Sequence, residues 1–347
     1  MITVDRRHPA HGSTSASTAL LQYELDIGLN DLMETVGPQR AIDSYRAAAD
    51  GVRAIARISS ELTAPVGFCE RPTLYFASRA RDADKLRREC EARSLAQLPC
   101  GLLDRRALHG IVDFKTTFAL RSALGGEVDP WRLTRALFDR CAARDFELYG
   151  RTAVTRIVPT KSDVEVKTKR GTIRARQVVI AAGYESEKFL PRPVAKLHST
   201  YAIVTEPVES FNGWGQRSLI WESARPYTYV RTTPDDRIMV GGEDDPFRDP
   251  EHRDARVPSK AARLLAKARR LFPRIEMEVA YAWAGTFGET SDGLPFIGPH
   301  PKRDARILFA LAYGANGMPF SALAGEILAA RILGREHRYM ETFAFDR

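Results

Sequence analysis

The sequence feature that most constrains the fold is the C-terminal segment of residues 283–333, which runs from a polar loop through a short apolar stretch and a tight turn into a helix. The run ILFALA at residues 307–312 has the length and composition of a strand buried on both faces. Pro319 suits the first turn of the helix that follows, because its missing N–H costs nothing there. The pattern predicts a βα unit whose helix N-terminus, near Gly317 and Met318, faces an anionic or electron-rich ligand atom.

Two ordered motifs in this segment match a pattern known from a protein family. The strings DGLPFIG at residues 292–298 and GANGM at residues 314–318 resemble the C-terminal flavin motif of the FAD-dependent D-amino-acid oxidase superfamily, which includes glycine oxidase, sarcosine oxidase and related amine oxidoreductases. The resemblance implies that the first loop passes along the flavin and that the strand-to-helix turn lies by the pyrimidine end of its ring system. The cofactor-binding residues implied here are Gly285, Asp292, Gly298, Gly314, Asn316, Gly317 and Met318.

The N-terminal residues are similar to the same family. Residues 2–4 form a short apolar run before an acid, and in a dinucleotide-binding unit the acid that ends the second strand accepts the ribose hydroxyls. The stretch GSTSASTALLQYELD at residues 12–26 resembles the family's loop and helix under the FAD phosphates and ribityl chain, where hydroxyl groups donate to phosphate. Ser and Thr are also common helix N-caps, so a simple capped helix is the alternative. The residues assigned to this part of the cofactor site are Asp5, Ser13, Thr14 and Ser17.

A further stretch with nucleotide-binding character is VVIAAG at residues 178–183. It is a continuous apolar run that ends in small residues, as in a buried parallel strand beneath a nucleotide, and it resembles the family's second FAD fingerprint. Ala182 and Gly183 are therefore assigned to the cofactor site. In relatives, the valine that matches Val154 meets the adenine through its main chain, and a plain core valine is the equal alternative at this position.

One part of the family pattern does not occur in residues 1–347: the G-x-G-x-x-G motif, whose helix N-terminus holds the pyrophosphate and which precedes the acid of the second strand. A start codon assigned too late and a degenerate copy of the family would both explain this. We expect the DNA upstream of Met1 to encode, in frame, an apolar strand, the glycine motif and a helix within roughly 30 codons. A stop codon in that frame would leave the degenerate copy as the explanation.

The order of the predicted elements indicates the α/β class, with an α+β substrate part. It predicts a Rossmann-like FAD-binding domain with a parallel sheet, incomplete at its N-terminus, and a substrate domain built on an antiparallel sheet. Residues 198–283 support the second domain, because their segments alternate apolar and polar residues between turns. The FAD-binding domain is assigned to residues 1–62, 127–197 and 284–334, the substrate domain to residues 63–126 and 198–283, and a C-terminal tail to residues 335–347.

The resemblance implies a flavin-dependent oxidoreductase that oxidises a C–N bond of an amine or amino-acid-like substrate by hydride transfer to flavin N5. This scheme requires no acidic or basic side chain, so no catalytic residue is assigned. The wall over the flavin is predicted to include Tyr201, Tyr227, Tyr229 and Arg231, although aromatic residues on strands are more often core residues. The alternative is a non-catalytic remnant or interaction protein of the same fold with an incomplete FAD site.

The substrate class is predicted from Phe287. In relatives that clamp an α-carboxylate, the loop after Trp-x-Gly carries an arginine, and counting along this loop places Phe287 at that position. A phenyl ring cannot replace a bidentate arginine–carboxylate contact. Simple glycine-like and D-amino acids are therefore expected to be poor substrates, unless Arg225 or Arg231 supplies a displaced clamp.

Charge and composition argue against other classes of protein. The net charge of +8 is spread over helical faces, so nucleic acid is not expected as a partner. The apolar runs are strand-sized and the histidines lack metal-ligand spacing, so neither a membrane nor a metal is expected. The N-terminus lacks an apolar signal core and the four cysteines form no C-x-x-C pair, which predicts a cytoplasmic location. No cysteine lies near Trp283, where some relatives attach FAD, so FAD is expected to be non-covalent; the oligomeric state stays open.

Overall fold

The computed structural model describes residues 1–247 and 249–347. Its α-helices are α1 (Ser13–Ala16), α2 (Leu29–Val36), α3 (Pro38–Glu61), α4 (Ala83–Leu95), α5 (Arg105–Leu108), α6 (Pro130–Ala142), α7 (Pro250–Ala255), α8 (Val257–Leu271) and α9 (Gly317–Ile332). Within these described ranges, no helix combines the length and the apolar character that a membrane span needs.

The strands run from the first residues to the C-terminal unit. They are β1 (Ile2–Val4), β2 (Leu20–Gln22), β3 (Cys69–Glu70), β4 (Thr73–Phe76), β5 (Gly101–Asp104), β6 (Phe118–Ser122), β7 (Gly125–Glu127), β8 (Glu147–Tyr149), β9 (Val154–Pro159), β10 (Val164–Thr168), β11 (Gly171–Ala175), β12 (Val178–Ile180), β13 (Lys196–Thr205), β14 (Leu219–Glu222), β15 (Thr228–Thr232), β16 (Ile238–Asp245), β17 (Val279–Glu289), β18 (Phe296–Pro299) and β19 (Ile307–Leu311).

A large, mainly antiparallel sheet joins strands in the order β17-β13-β16-β15-β14-β4-β6-β5. Helix α8 covers one of its faces and packs Leu264 in a core cluster with Val230 of β15. Successive side chains of a strand point to opposite faces, so Tyr229 and Arg231 of β15 lie on the other face. The antiparallel sheet predicted for residues 198–283 is confirmed, and β17 continues past the predicted domain boundary to Glu289.

Two smaller sheets each contain a parallel pair. Strand β1 pairs with β8 in parallel, and β12 pairs in parallel with β19, which is buried at every position as predicted. Among the described residues β1 pairs only with β8 and β12 only with β19, so each keeps one unpaired edge. Arg6, which follows β1, contacts Glu185, which follows β12, so the carboxyl ends of these two strands adjoin. Ile2 and Val179, on the two strands, are 44% and 43% exposed. These parallel pairs beside the large antiparallel sheet confirm the predicted fold class.

Helices α3 and α9 pack in close backbone contact. A Cβ atom at Gly51 would overlap the main-chain carbonyl oxygen of Pro319, which lies in the first turn of α9 as predicted. The absence of a side chain at Gly51 therefore sets how closely the two helices approach.

Replacing Gly51 with alanine is expected to lower the free energy of unfolding by about 1–3 kcal/mol. The Pro319 oxygen belongs to the backbone and cannot rotate away, so one of the two helices must shift. Urea unfolding measures the effect, with Gly325→Ala as the control, because a Cβ at Gly325 of α9 meets no described atom within 4 Å. The control should be neutral or up to about 1 kcal/mol more stable, and equal midpoints for the two variants would contradict the packing argument.

A buried ion network holds α4 against α2. The Arg93 Nε donates to Glu89 Oε1 at 2.8 Å, and its Nη1 lies 3.5 Å from Glu24 Oε1. Glu89 also accepts hydrogen bonds from the main-chain N–H groups of Leu29 (2.7 Å) and Asn30 (3.2 Å), and so caps the N-terminus of α2 from a neighbouring helix. Burial raises the pKa of Glu24, and the Arg93 charge opposes that effect. The carboxylates of Glu24 and Glu89 therefore share one counter-charge, the Arg93 guanidinium.

The residues predicted as a C-terminal tail, 335–347, are packed against the body of the protein. Tyr339 and Phe343 lie in the same core cluster as Phe320 of α9. The buried Arg347 side chain pairs with Asp292, with Nε 2.8 Å from Oδ2. This last stretch therefore helps to fix the loop between β17 and β18.

Candidate active site

The turn between β19 and α9 leads to an open helix N-terminus. Asn316 is buried, and its Nδ2 donates to the carbonyl oxygens of Glu24 at 2.8 Å and of Gln22 at 3.3 Å. These bonds fix the turn against residues 12–26, which are called the N-terminal segment below. Gly317 then begins the helix. The first N–H groups of a helix have no partner within it, so this end offers hydrogen-bond donors and the positive end of the dipole.

Beside this turn, the N-terminal segment packs on the face of the large sheet that α8 does not cover, which is called the free face below. Trp283 Nε1 donates to the carbonyl oxygen of Ala16 at 2.9 Å, and the Thr18 hydroxyl donates to the Tyr229 hydroxyl at 3.1 Å. The buried Arg231 donates to the carbonyl oxygens of Thr18 and Thr232. Arg231 therefore ties the segment to β15, and its charge is engaged within the protein.

Asp26 connects three parts of the molecule. Its Oδ1 accepts a hydrogen bond from the Tyr227 hydroxyl at 2.9 Å, and its carbonyl oxygen accepts one from Arg225 Nη2 at 3.0 Å. The main-chain N–H of Ala315 lies close enough to the carboxylate to lower its pKa. Burial raises the pKa of Asp26 above its ordinary range, against the lowering effect of the Tyr227 hydrogen bond. The N-terminal segment, the free face of the sheet and the turn before α9 therefore meet at one carboxylate.

A second carboxylate, Asp244, lies near Asp26 because of a bulge in β16. The register between β13 and β16 shifts between Ser199 and Tyr201, where Glu243 has a φ of 57°. No described atom bonds the buried Oδ1 of Asp244. Burial, together with the smaller effect of the Asp26 charge, raises the pKa of Asp244 to about 6. Sequence reasoning missed both acids: Asp26 ends the stretch assigned under the cofactor, whereas the position of Asp244 depends on a bulge without a sequence signal.

The structure corrects the prediction for Tyr201. This side chain is 1% exposed and lies in the core cluster under α8, with its hydroxyl 3.0 Å from Asp245 Oδ2. Tyr227 and Tyr229 lie on the opposite face, beside the N-terminal segment. Tyr201 therefore belongs to the core, and the strand alternation explains why the three tyrosines do not share one wall.

Phe287 stacks on His198, its cross-strand partner, with ring centroids 5.5 Å apart. The position where some relatives carry an arginine therefore holds an aromatic pair. Gly285 pairs with Thr200 in the same two strands. Polar contacts adjoin the pair, because Glu289 of β17 lies 3.5 Å from His198 Nε2.

Asp292 organises its own loop. Its Oδ1 accepts hydrogen bonds from the Thr290 hydroxyl at 2.9 Å and from the N–H of Leu294 at 3.1 Å. Burial would raise its pKa, but the Arg347 pair and these hydrogen bonds outweigh it and hold the pKa below the ordinary range. The contribution of Arg347, 55 residues away in sequence, was not predicted.

The remaining predicted cofactor residues lie near the carboxyl ends of β1 and β12 and in neighbouring segments. Asp5 Oδ1 accepts the N–H of Arg7 at 2.7 Å, and Ser17 Oγ accepts the N–H of Ala19 at 3.2 Å. The N–H of Ala182 donates to Ser186 Oγ at 3.0 Å, just before Gly183. Ser13 and Thr14 lie in α1, and the half-buried Val154 lies in β9. Gly314 lies in the turn before α9 with a φ of 58°.

Residues 2–331 match the family described as DAO, FAD dependent oxidoreductase. The chain belongs to this family. It is 29% identical to a glycine oxidase of Bacillus licheniformis over 63% of this chain and 58% of that protein, and 27% identical to a gamma-glutamylputrescine oxidoreductase of Escherichia coli (strain K12) over 69% and 55%. The chain thus spans a little over half the length of these relatives. The crystal structure of glycine oxidase from Geobacillus kaustophilus superposes with a TM-score of 0.81 at 21% identity, covering 100% of this chain and 91% of that one, which shows a shared fold.

FAD is the cofactor of this oxidoreductase family, and the described residues fit it at the flavin end. Apart from chain neighbours, no described atom lies within 4 Å of a Cβ built on Gly317, Gly298 or Gly183. Open space therefore adjoins glycine backbone at the helix N-terminus and at a strand end, as a cofactor lying against the main chain requires. In this arrangement Gly317 and Met318 would hold the pyrimidine side of the ring, and Asp5 would hold the ribose.

Proposed function

We propose that this chain binds FAD non-covalently and oxidises a C–N bond of an amine or amino-acid-like small molecule. When bound, the flavin supplies the two-electron acceptor for that bond. The observation that carries the proposal is the meeting of the family's flavin turn, the N-terminal segment and the free face of the large sheet at Asp26. The N-terminus of α9 offers N–H groups and a positive dipole end for the negative charge that collects on the reduced ring.

The visible absorbance of oxidised flavin in the purified protein tests the cofactor, and release of intact FAD on denaturation tests its non-covalent attachment. Anaerobic loss of that absorbance on adding amines tests the reaction. Protein that stays colourless and takes up no added FAD would contradict both parts. Protein that binds FAD but is bleached by no amine or amino acid would contradict the reaction alone.

We also propose that the substrate is an amine or a larger N-substituted compound and not a simple amino acid. Phe287 offers no cation at the position of the relatives' carboxylate clamp, and Arg231 is bound to the carbonyl oxygens of Thr18 and Thr232. Arg225 donates to the carbonyl oxygens of Ala224 and Asp26. These engagements disfavour a displaced arginine clamp, and the carboxylates of Asp26 and Asp244 favour a cationic group.

The expected result is that amines bleach the flavin with a kcat/KM at least 100-fold above that for glycine or D-alanine, since one lost bidentate ion pair is worth roughly 3 kcal/mol. Stopped-flow absorbance under anaerobic conditions measures the rate of flavin bleaching with the amines and with the amino acids. The matched variant is Phe287→Arg, which should raise the reactivity toward glycine without affecting flavin content. Robust turnover of glycine by the unaltered protein would overturn this substrate assignment.

For the domains, we propose the division given by the sequence patterns, with residues 1–62, 127–197 and 284–334 binding FAD and residues 63–126 and 198–283 forming the substrate part. The inclusion of β4 to β6 in the large sheet supports placing residues 63–126 with the substrate part. Limited proteolysis with and without FAD tests the division, because the cofactor should protect the first set of segments.

The second candidate function is a non-catalytic protein of the same fold. It is favoured by one observation: among the described residues β1 and β12 adjoin at their carboxyl ends without pairing, in the part of the fold that holds the nucleotide. FAD titration followed by fluorescence separates the candidates, because the non-catalytic protein would show no saturable binding.

A further inference from the structure

Two cysteines lie in contact in the region between α4 and β5. The Sγ atoms of Cys90, in α4, and Cys100, just before β5, are 3.6 Å apart. Both side chains pack beside a small core cluster of Ala77, Leu86 and Leu120, and both are partly accessible to solvent. A disulfide requires the two sulfurs to approach by only about 1.5 Å more.

The segment that carries Cys100 is held in place from several sides. The Tyr23 hydroxyl donates to the carbonyl oxygen of Pro99 at 2.7 Å, and Arg46 Nε donates to that of Ala96 at 3.2 Å. The N–H of Leu98 donates to the carbonyl oxygen of Arg93 at 2.9 Å, so the segment is also bound to the end of α4. The backbone that carries Cys100 is therefore held in a fixed position relative to the end of α4.

We propose that Cys90 and Cys100 form an oxidation site at which hydrogen peroxide converts the two thiols into a disulfide. Cys90 attacks one peroxide oxygen, which yields a sulfenic acid and one water. The Cys100 sulfur then displaces the sulfenic oxygen, which leaves with the Cys100 proton as a second water while the S–S bond forms. Peroxide gains two electrons and the thiols lose two, so no further co-reactant is needed.

Burial raises the pKa of the Cys100 thiol, which lowers its thiolate fraction and leaves Cys90 as the sulfur that reacts with peroxide first. Cys69 has the carbonyl oxygen of Glu70 as its neighbour, and Cys141 borders a separate cavity with Phe146 and Leu137. These two cysteines serve as internal references for non-specific oxidation.

The test uses the full chain and needs no variant that must fold. Reduced protein is exposed to hydrogen peroxide, its remaining thiols are blocked with N-ethylmaleimide, and it is digested with trypsin without reductant. Cleavage after Arg88, Arg93 and Arg105 separates the two cysteines into peptides 89–93 and 94–105. The expected product is one linked species lighter than the two peptides by two hydrogen atoms, which dithiothreitol splits.

The same treatment of the Cys69→Ser/Cys141→Ser variant should give the linked species in equal yield. Recovery of both peptides carrying maleimide, of either cysteine joined to Cys69 or Cys141, or of sulfinic and sulfonic acids alone would overturn the proposal.

Discussion

Replacing Gly317 with valine is expected to abolish flavin binding while the protein stays folded. Gly317 begins α9, and apart from its chain neighbours and the backbone of its own helix no described atom lies within 4 Å of a Cβ at this position, so the fold leaves open space there. The valine would instead fill the space beside the helix N-terminus where we place the ring. Flavin content per chain should fall at least tenfold, while the free energy of unfolding without FAD should change by less than about 1 kcal/mol.

The matched control is Gly325→Val, the same change in the same helix at an exposed position that is also free of neighbours within 4 Å. It introduces the same side chain in the helix interior but leaves the N-terminus open, so flavin content should be retained. If Gly317→Val kept full flavin content, the turn before α9 would not be part of the cofactor-binding site. If both variants lost flavin, the effect would come from the helix and not from the site.

Replacing Arg93 with methionine is expected to lower the free energy of unfolding by about 3–5 kcal/mol. Arg93 is 2% exposed and is the partner of Glu89 and Glu24, which are buried with it. Methionine fills part of the volume but leaves two carboxylates without a counter-charge, and one Glu24 oxygen already has no hydrogen-bond partner among the described residues. Urea unfolding followed by circular dichroism measures the loss.

Arg88→Met serves as the control, because Arg88 lies on the exposed side of the same helix and the substitution should change stability by no more than about 0.5 kcal/mol. A loss of similar size in both variants would indicate that α4 is sensitive to any substitution. In that case the buried network would not be the cause.

The C-terminal unit could be predicted from the sequence because its signals are local. A continuous apolar run gave β19, which is buried throughout, and a proline in the first turn marked the start of α9. The glycine and asparagine of the turn lie within a few residues of one another, so one motif places them together.

The walls of the site depend on register, which the sequence does not show. Tyr201 and Tyr229 are both aromatic residues on strands, yet they face opposite sides of the sheet. The bulge in β16 brings Asp244 near Asp26, and the pairing of Arg347 with Asp292 joins residues far apart in the chain. Each of these contacts follows from tertiary packing, which no short pattern encodes.

Strands β1 and β12 each have one edge that pairs with no other described strand. Main-chain N–H and C=O groups on such edges form a template for one more strand, and proteins usually protect them with charge, proline or a covering helix. Here apolar side chains, Ile2 and Val179, are exposed on the two edges, and the ion pair of Arg6 with Glu185 holds their carboxyl ends side by side. A parallel strand added at this place could pair with the main chain of β1, of β12 or of both.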